Sequence, residues 1–284
     1  MTGLSILAFS LFASCSAQLN FVSIGDWGTN SYLNNNYQQR VANQVLCLTL
    51  YLFECFNTAL LVQTARTAAA IGATFVINVG DNFYNNGVTS TTDPLWNSMF
   101  ENVYFQASLN IPWYSVLGNH DYDSAKSPLY EIQYSLKKLG KGRWVMPDHN
   151  FTVTMAIPNS GGATLDFIFI DTERIAPEET GSTGSGGANP VTAAQTAAQL
   201  SWLKAALAAS RATWLFVVGH YHGKQISHRI SSENLNSIMV SVYSCASAGD
   251  QATMVSKVAP LLQQYGVHAY LSGHKHNLEV RMRQ

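Results

Sequence analysis

Charge is scarce in this chain. Lys, Arg, Asp and Glu make up 12% of its 284 residues, and the formal net charge is −1. A nucleic-acid partner calls for clustered cationic residues, and nothing in this balance suggests one. Cysteine is scarce too, with four in all. Cys15 lies in an N-terminal segment expected to be removed, and Cys47, Cys55 and Cys245 are an odd set without metal-type spacing. A disulfide framework is therefore not what holds this fold. No segment repeats internally. The longest apolar stretch, Val45 to about Gln63, approaches membrane-spanning length, but Glu54, Asn57 and its polar ends argue against a stable span.

What is present points to a compact chain. Apolar residues reach 47%, and the length suffices for one large domain with a buried core. Met1 to Ala17 reads as a secretory signal, with Leu4 to Ala13 as its apolar core and Ser16-Ala17 as the small residues of a cleavage site. It lacks a basic n-region, and the competing reading is a first buried strand or helix. Cleavage after Ala17 would leave 18–284 as a single domain in a secreted, lysosomal or extracellular product. Asn150-Phe151-Thr152 is a glycosylation sequon, consistent with that route.

Short apolar runs punctuate the sequence: Phe21–Ile24, Thr74–Val79, Trp113–Leu117, Thr213–Val218 and Ala269–Leu271, each followed, directly or after one residue, by glycine and a polar residue. Their length and their β-branched or aromatic content predict buried strands. Leu165–Ile170 is a further run that ends in Asp171 without a glycine. Thr192–Ser210 is rich in Ala, Gln and Leu, with Leu200, Leu203 and Leu207 on one helical face. Glu178 to Pro190 is Gly/Ser-rich and reads as a loop. Strands alternating with helices indicate an α/β domain whose site lies beyond the carboxyl ends of the strands.

The polar clusters fall at those ends. They read Gly25-Asp26-Trp27-Gly28, Gly80-Asp81-Asn82-Phe83-Tyr84, Gly118-Asn119-His120-Asp121, Gly219-His220-Tyr221-His222 and Gly273-His274-Lys275-His276. Any one of them alone is more simply a turn, a helix cap or a structural histidine. Together they hold carboxylates, an amide, a phenol and imidazoles, a mixture that turns do not require. One central carboxylate can bridge two adjacent cations, imidazole and amide oxygen suit divalent transition metals, and a phenolate favours a ferric ion.

These motifs resemble the purple acid phosphatase branch of the metallophosphoesterases, and most closely its small animal-type, tartrate-resistant members. Tyr84, three residues after Asp81, marks that branch, and Gln199-Leu200-Ser201-Trp202-Leu203 and Pro260–Val267 are similar to it as well. The resemblance implies an α+β fold, a four-layer αββα sandwich of two mixed β-sheets with the metal site at the C-terminal ends of the strands. It implies a ferric site of Asp26, Asp81, Tyr84 and His276, and a divalent site (Fe2+, Zn2+ or Mn2+) of Asp81, Asn119, His220 and His274. His120 would contact phosphate and protonate the leaving alcohol, with His222 as an auxiliary. The implied reaction is hydrolysis of phosphate monoesters, small or on phosphoproteins, by a metal-bound hydroxide at acidic pH.

The chain also departs from that pattern. Val45 to about Gln63 and Gly223 to about Ser241 interrupt family-like sequence, and a gene-model error is the favoured reading of both. Lys275 stands where an acidic residue is common. The chain stops at Gln284, before the strands with which members of the branch continue, so C-terminal strands are expected to be missing. The competing functions are a phosphodiesterase or nucleotide hydrolase of the same superfamily and a non-catalytic, secreted iron-binding remnant. The Glu178–Pro190 loop is expected to limit access to the site.

Overall fold

The computed structural model of the chain describes residues 6–14, 17–27, 63–124, 126–176, 191–221, 240–242, 252–274 and 280–281. Two mixed sheets dominate them. In the first, β1 (Ile6–Ser14), β2 (Ala17–Ile24), β3 (Phe75–Asn78), β4 (Trp113–Ser115) and β5 (Trp144–Val145) lie side by side in chain order. The second contains β6 (Phe151–Ala156), β7 (Thr164–Phe169), β8 (Trp214–Val218), β9 (Val240–Val242), β10 (Ala269–Leu271) and β11 (Val280–Arg281), in the spatial order β11-β9-β10-β8-β7-β6. The strands that end in the glycine motifs run parallel to their neighbours: β2 with β3, β3 with β4, and β8 with β10. Their carboxyl ends therefore gather along one edge of each sheet.

All six apolar runs become strands, five of them within a residue or two of the expected limits, while β2 begins four residues before Phe21. The Thr192–Ser210 stretch becomes a helix over Ala193–Ala209, preceded by a Thr192 cap. Gln195 N–H donates to Thr192 Oγ1 at 3.2 Å, and Thr192 N–H donates back to Gln195 Oε1 at 2.8 Å. This reciprocal pair satisfies two amides that the first turn would otherwise leave open. The segment 6–14 pairs antiparallel with β2, so in the uncleaved chain it takes the strand alternative; this pairing does not bear on whether it is later removed. The two interrupting segments lie almost wholly outside the described residues, as does the Glu178–Pro190 loop.

Alternation along the strands divides the core. Phe167 and Phe169 of β7 point into the space between the sheets, where Phe167 meets Phe21 at 5.3 Å and Phe75 at 5.6 Å, ring centre to ring centre. Ile168 and Ile170 point the other way and pack with Leu203 and Leu207. With α1 (Gln63–Ile71), α2 (Ser127–Leu136), α3 (Ala193–Ala209) and α4 (Ala259–Gln264), the order is helix, sheet, sheet, helix. Outside the first sheet lies an aromatic cluster around Trp27, whose ring meets Tyr104 at 5.3 Å and Phe83 at 5.8 Å. Trp27 also donates its indole N–H to Asn78 Oδ1 at 2.9 Å, which ties the residue after Asp26 to the end of β3. Among the described residues no helix is long and apolar enough to cross a membrane.

Candidate metal centre

Each described strand-end motif places its polar residue one or a few positions past the last residue of a strand. Asp26 follows β2, Asp81 follows β3, Asn119 follows β4, His220 follows β8 and His274 follows β10. Glycine precedes all of them because the strand ends nearly touch. At Gly118 an added Cβ would stand 2.3 Å from Asp81 Oδ1 and 2.9 Å from the His220 ring, closer than any side chain tolerates. The residues themselves are held in unusual backbone shapes: φ is +56° at Asp26, +54° at Asp81 and +77° at His274. Left-handed non-glycine residues cost of order 1–3 kcal/mol each and cluster where function over-determines the geometry.

Asp81 occupies the middle. Its Oδ2 accepts the Tyr84 hydroxyl at 2.6 Å. Its Oδ1 faces the other way, 3.3 Å from His220 Nε2 and 3.1 Å from the His120 amide. On that second side Asn119 Oδ1 lies 3.1 Å from His220 Nε2 and 2.9 Å from His274 Nδ1. Four donors thus converge from four loops. On the first side, the Asp26 carboxylate receives the His274 amide at 2.8 Å, and single ligand atoms of Asp26, Asp81 and His220 all lie within 4.8 Å of one another. His220 Nδ1 lies 2.8 Å from the Val79 carbonyl. That contact is a hydrogen bond only if Nδ1 carries the proton, which leaves Nε2 with a lone pair turned into the cluster.

Electrostatics fit a cation at this place. Burial, and then the charge of Asp81, push Asp26 well above the usual carboxylate range. Burial also works to raise Asp81, but the facing His220 and His120 outweigh it and hold Asp81 low. Burial and both carboxylates drive Tyr84 well above its ordinary value. As protein groups alone, two carboxylates and a phenol are therefore buried together where their ionised forms would repel each other. Divalent or trivalent cations relieve that repulsion and take these donors as ligands.

A family model for the calcineurin-like phosphoesterases matches residues 19–278. The chain belongs to that family. It is 32% identical to the tartrate-resistant acid phosphatase type 5 of Rattus norvegicus over 98% of this chain and 74% of that protein. To the Homo sapiens protein of the same name it is 31% identical, over 97% of this chain and 72% of the relative. Similarity extends to purple acid phosphatase 17 of Arabidopsis thaliana, at 29% identity over 94% and 65% of the two chains. Among solved structures it is similar in fold to GAP50, described as the anchor in the inner membrane complex of Plasmodium. That match has a TM-score of 0.61 and 21% identity, and covers 91% of this chain and 66% of that one.

In a calcineurin-like phosphoesterase this donor set implies a dinuclear metal centre, and seven of the residues singled out in the sequence lie at it or beside it. Asp26, Asp81, Tyr84, Asn119, His220 and His274 form the cluster. His120 stands at its rim, its ring 4.3 Å from that of Tyr84 and its Nδ1 2.9 Å from the Asn85 carbonyl. Burial works to lower the His120 pKa, but the charge of Asp81, the Asn85 carbonyl and Asp123 outweigh it and raise it. His222, Lys275 and His276 lie outside the described residues.

The residues that brace the cluster escaped the sequence reading. Asp121 is wholly buried and accepts the backbone amides of Gly118 at 2.8 Å, Asn82 at 2.9 Å and Phe83 at 3.1 Å, clamping the Asp81–Tyr84 loop to the Asn119–His120 loop. Burial and then the charge of Asp81 push its pKa up to about 8. Asn82 in turn donates to Glu131 Oε2 at 2.9 Å, from α2. Asp121 and Asn82 sat in plain view inside the motifs, but neither carries a sign that its side chain turns inward.

Proposed function

We propose that this phosphoesterase is an acid phosphatase that hydrolyses phosphate monoesters at an Fe(III)–M(II) centre. The observation that carries the reading is the division of Asp81: one carboxylate oxygen faces a phenol, the other an imidazole. Asp26, Asp81 and Tyr84, with His276, would hold the ferric ion. Asp81, Asn119, His220 and His274 would hold the divalent one. When bound, the two ions supply Lewis-acid activation of water and charge neutralisation at phosphorus. The similarity to acid phosphatases of animals and plants supports the same substrate class.

The side chains then divide the remaining work. Asp81, Asn119 and the two histidines fix the donor geometry, since each is held by a second contact from another loop. His120 lies at the open rim and holds a proton that a departing alkoxide needs. Its carbonyl and carboxylate partners, Asn85 and Asp123, orient Nδ1 and leave the other ring nitrogen for the substrate. That step needs a protonated His120, so turnover falls as pH rises through its pKa. His222 is assigned an auxiliary role on the resemblance. Residues 1–17 are assigned as a cleaved secretory signal, for which a mature N-terminus at Gln18 is the expected mass-spectrometric result.

The deciding experiment is a visible absorption spectrum with metal analysis on the purified protein. A broad band in the green with about two metals per chain, iron among them, is the expected result for a tyrosinate–ferric pair. A colourless protein that cleaves phosphate esters, diesters in preference to monoesters, would transfer the chain to a phosphodiesterase branch. A colourless protein without metal would overturn the enzymatic reading.

A further inference from the structure

Among the described residues, the end of β7, parallel to β8, lies at the same edge without contributing a donor to the cluster. β7 is followed, after Ile170, by Asp171-Thr172-Glu173, which has no glycine and whose side chains all turn inward: Asp171 and Thr172 are fully buried and Glu173 nearly so. Thr172 Oγ1 accepts two backbone amides, from His220 at 3.3 Å and from Tyr221 at 3.1 Å. The Glu173 carboxylate accepts the hydroxyl of Tyr221, and Tyr270 of β10 donates its hydroxyl to the Tyr221 carbonyl. Tyr221 is therefore held at its amide, its carbonyl and its phenol, and no part of it reaches solvent. Its ring stands 4.7 Å from that of His274 and nearly perpendicular to it.

We propose that Glu173, acting through Tyr221, is a positioning residue that fixes the His274 imidazole toward Asn119 and so sets the affinity of the divalent half of the metal centre. The inference rests on the dinuclear reading given above. His274 takes a left-handed backbone, and its Nδ1 must turn toward Asn119 Oδ1 for both to meet one ion. The perpendicular Tyr221 ring blocks the ring rotations that would turn Nδ1 away. Glu173 keeps Tyr221 in that place by holding the far end of its side chain. Groups that touch a metal ligand and orient it typically change affinity 10–100-fold when lost; Tyr221 is such a group for His274, and Glu173 holds Tyr221.

The test is zinc uptake by the iron-containing protein, dialysed against buffers of fixed free Zn2+ and read as zinc and iron per chain. Glu173→Ala and Tyr221→Phe are expected to shift the Zn2+ midpoint by about 10–100-fold with iron retained, while Glu173→Gln, which still accepts the phenol, stays within about threefold of wild type. A merely structural role would lower the melting temperature and leave the Zn2+ midpoint in place. If Glu173→Ala does not fold, Tyr221→Phe, which removes a single oxygen, carries the comparison. Equal midpoints in wild type and variants overturn the proposal. A wild-type protein that holds no more than one metal ion per chain, zinc and iron counted together, at saturating Zn2+ overturns the dinuclear reading, and this proposal with it.

Discussion

At Gly118 a single hydrogen decides whether the site can form. The backbone here runs so close to Asp81 that an added methyl would lie 2.4 Å from the Asp81 amide as well as against its carboxylate. Gly118→Ala is expected to cut kcat by about 100-fold, the usual result of ångström-scale misplacement of reacting groups, with loss of bound metal visible in elemental analysis. His120 invites the opposite outcome. Its ring lies against Tyr84 but supplies none of the cluster's donor atoms, so His120→Asn should keep the metals and lose about 100-fold or more in kcat on alkyl phosphates. Aryl phosphates, whose leaving groups need no proton, should lose much less. Equal losses on both substrates would remove the proton-donor role. Residue identity alone carried this level of the reading far, because few side chains bind metal and all of them followed strands. Asp121, Asn82, Glu131 and Glu173 were illegible, since a carboxylate or amide that turns inward has the same letter as one that faces water.

Elements follow from pattern and capping. The α3 cap is local, and Thr192→Ala should cost about 1 kcal/mol in urea unfolding, the common penalty for a lost N-cap oxygen. At the start of the second sheet's core strand, His268 Nδ1 accepts the Leu215 amide at 3.1 Å, with its ring against Trp214. Burial depresses its pKa below the usual 6.5, because the charged ring is disfavoured there. A depressed pKa contributes stability that is complete above the unfolded value and is lost as pH falls through the folded one. His268→Asn, whose amide oxygen can accept the same bond, should therefore lose less stability between pH 7 and 5 than wild type. Identical pH slopes in the two proteins would count against this account. The runs from Phe21 to Leu271 were legible as strands because buried parallel strands are short and apolar on both faces. β6 was not singled out, since Phe151–Ala156 buries one face only and its alternation is diluted by two threonines.

For the whole molecule the decisive fact is that the donors come from both sheets. Asp26, Asp81 and Asn119 follow strands of the first, while His220 and His274 follow strands of the second. Bound metal would link the sheets across the edge of their shared core. Removing it with a chelator should lower the melting temperature, and a ligand present at a thousand times its Kd is worth about 4 kcal/mol. An unchanged melting temperature would mean that the ions contribute nothing to holding the sheets together. The sequence by itself determined which atoms could bind metal and that they would sit at strand ends, since donor chemistry and strand length are properties of short segments. It also determined the α/β class, because alternating buried runs and helices admit few other arrangements. Only the tertiary structure decided which oxygen of Asp81 faces which partner and which nitrogen of His220 is left for an ion. Likewise, only the fold showed that Glu173 reaches Tyr221, since that contact joins residues 48 positions apart. Such contacts depend on how two sheets pack across their common core, and no local pattern encodes that distance.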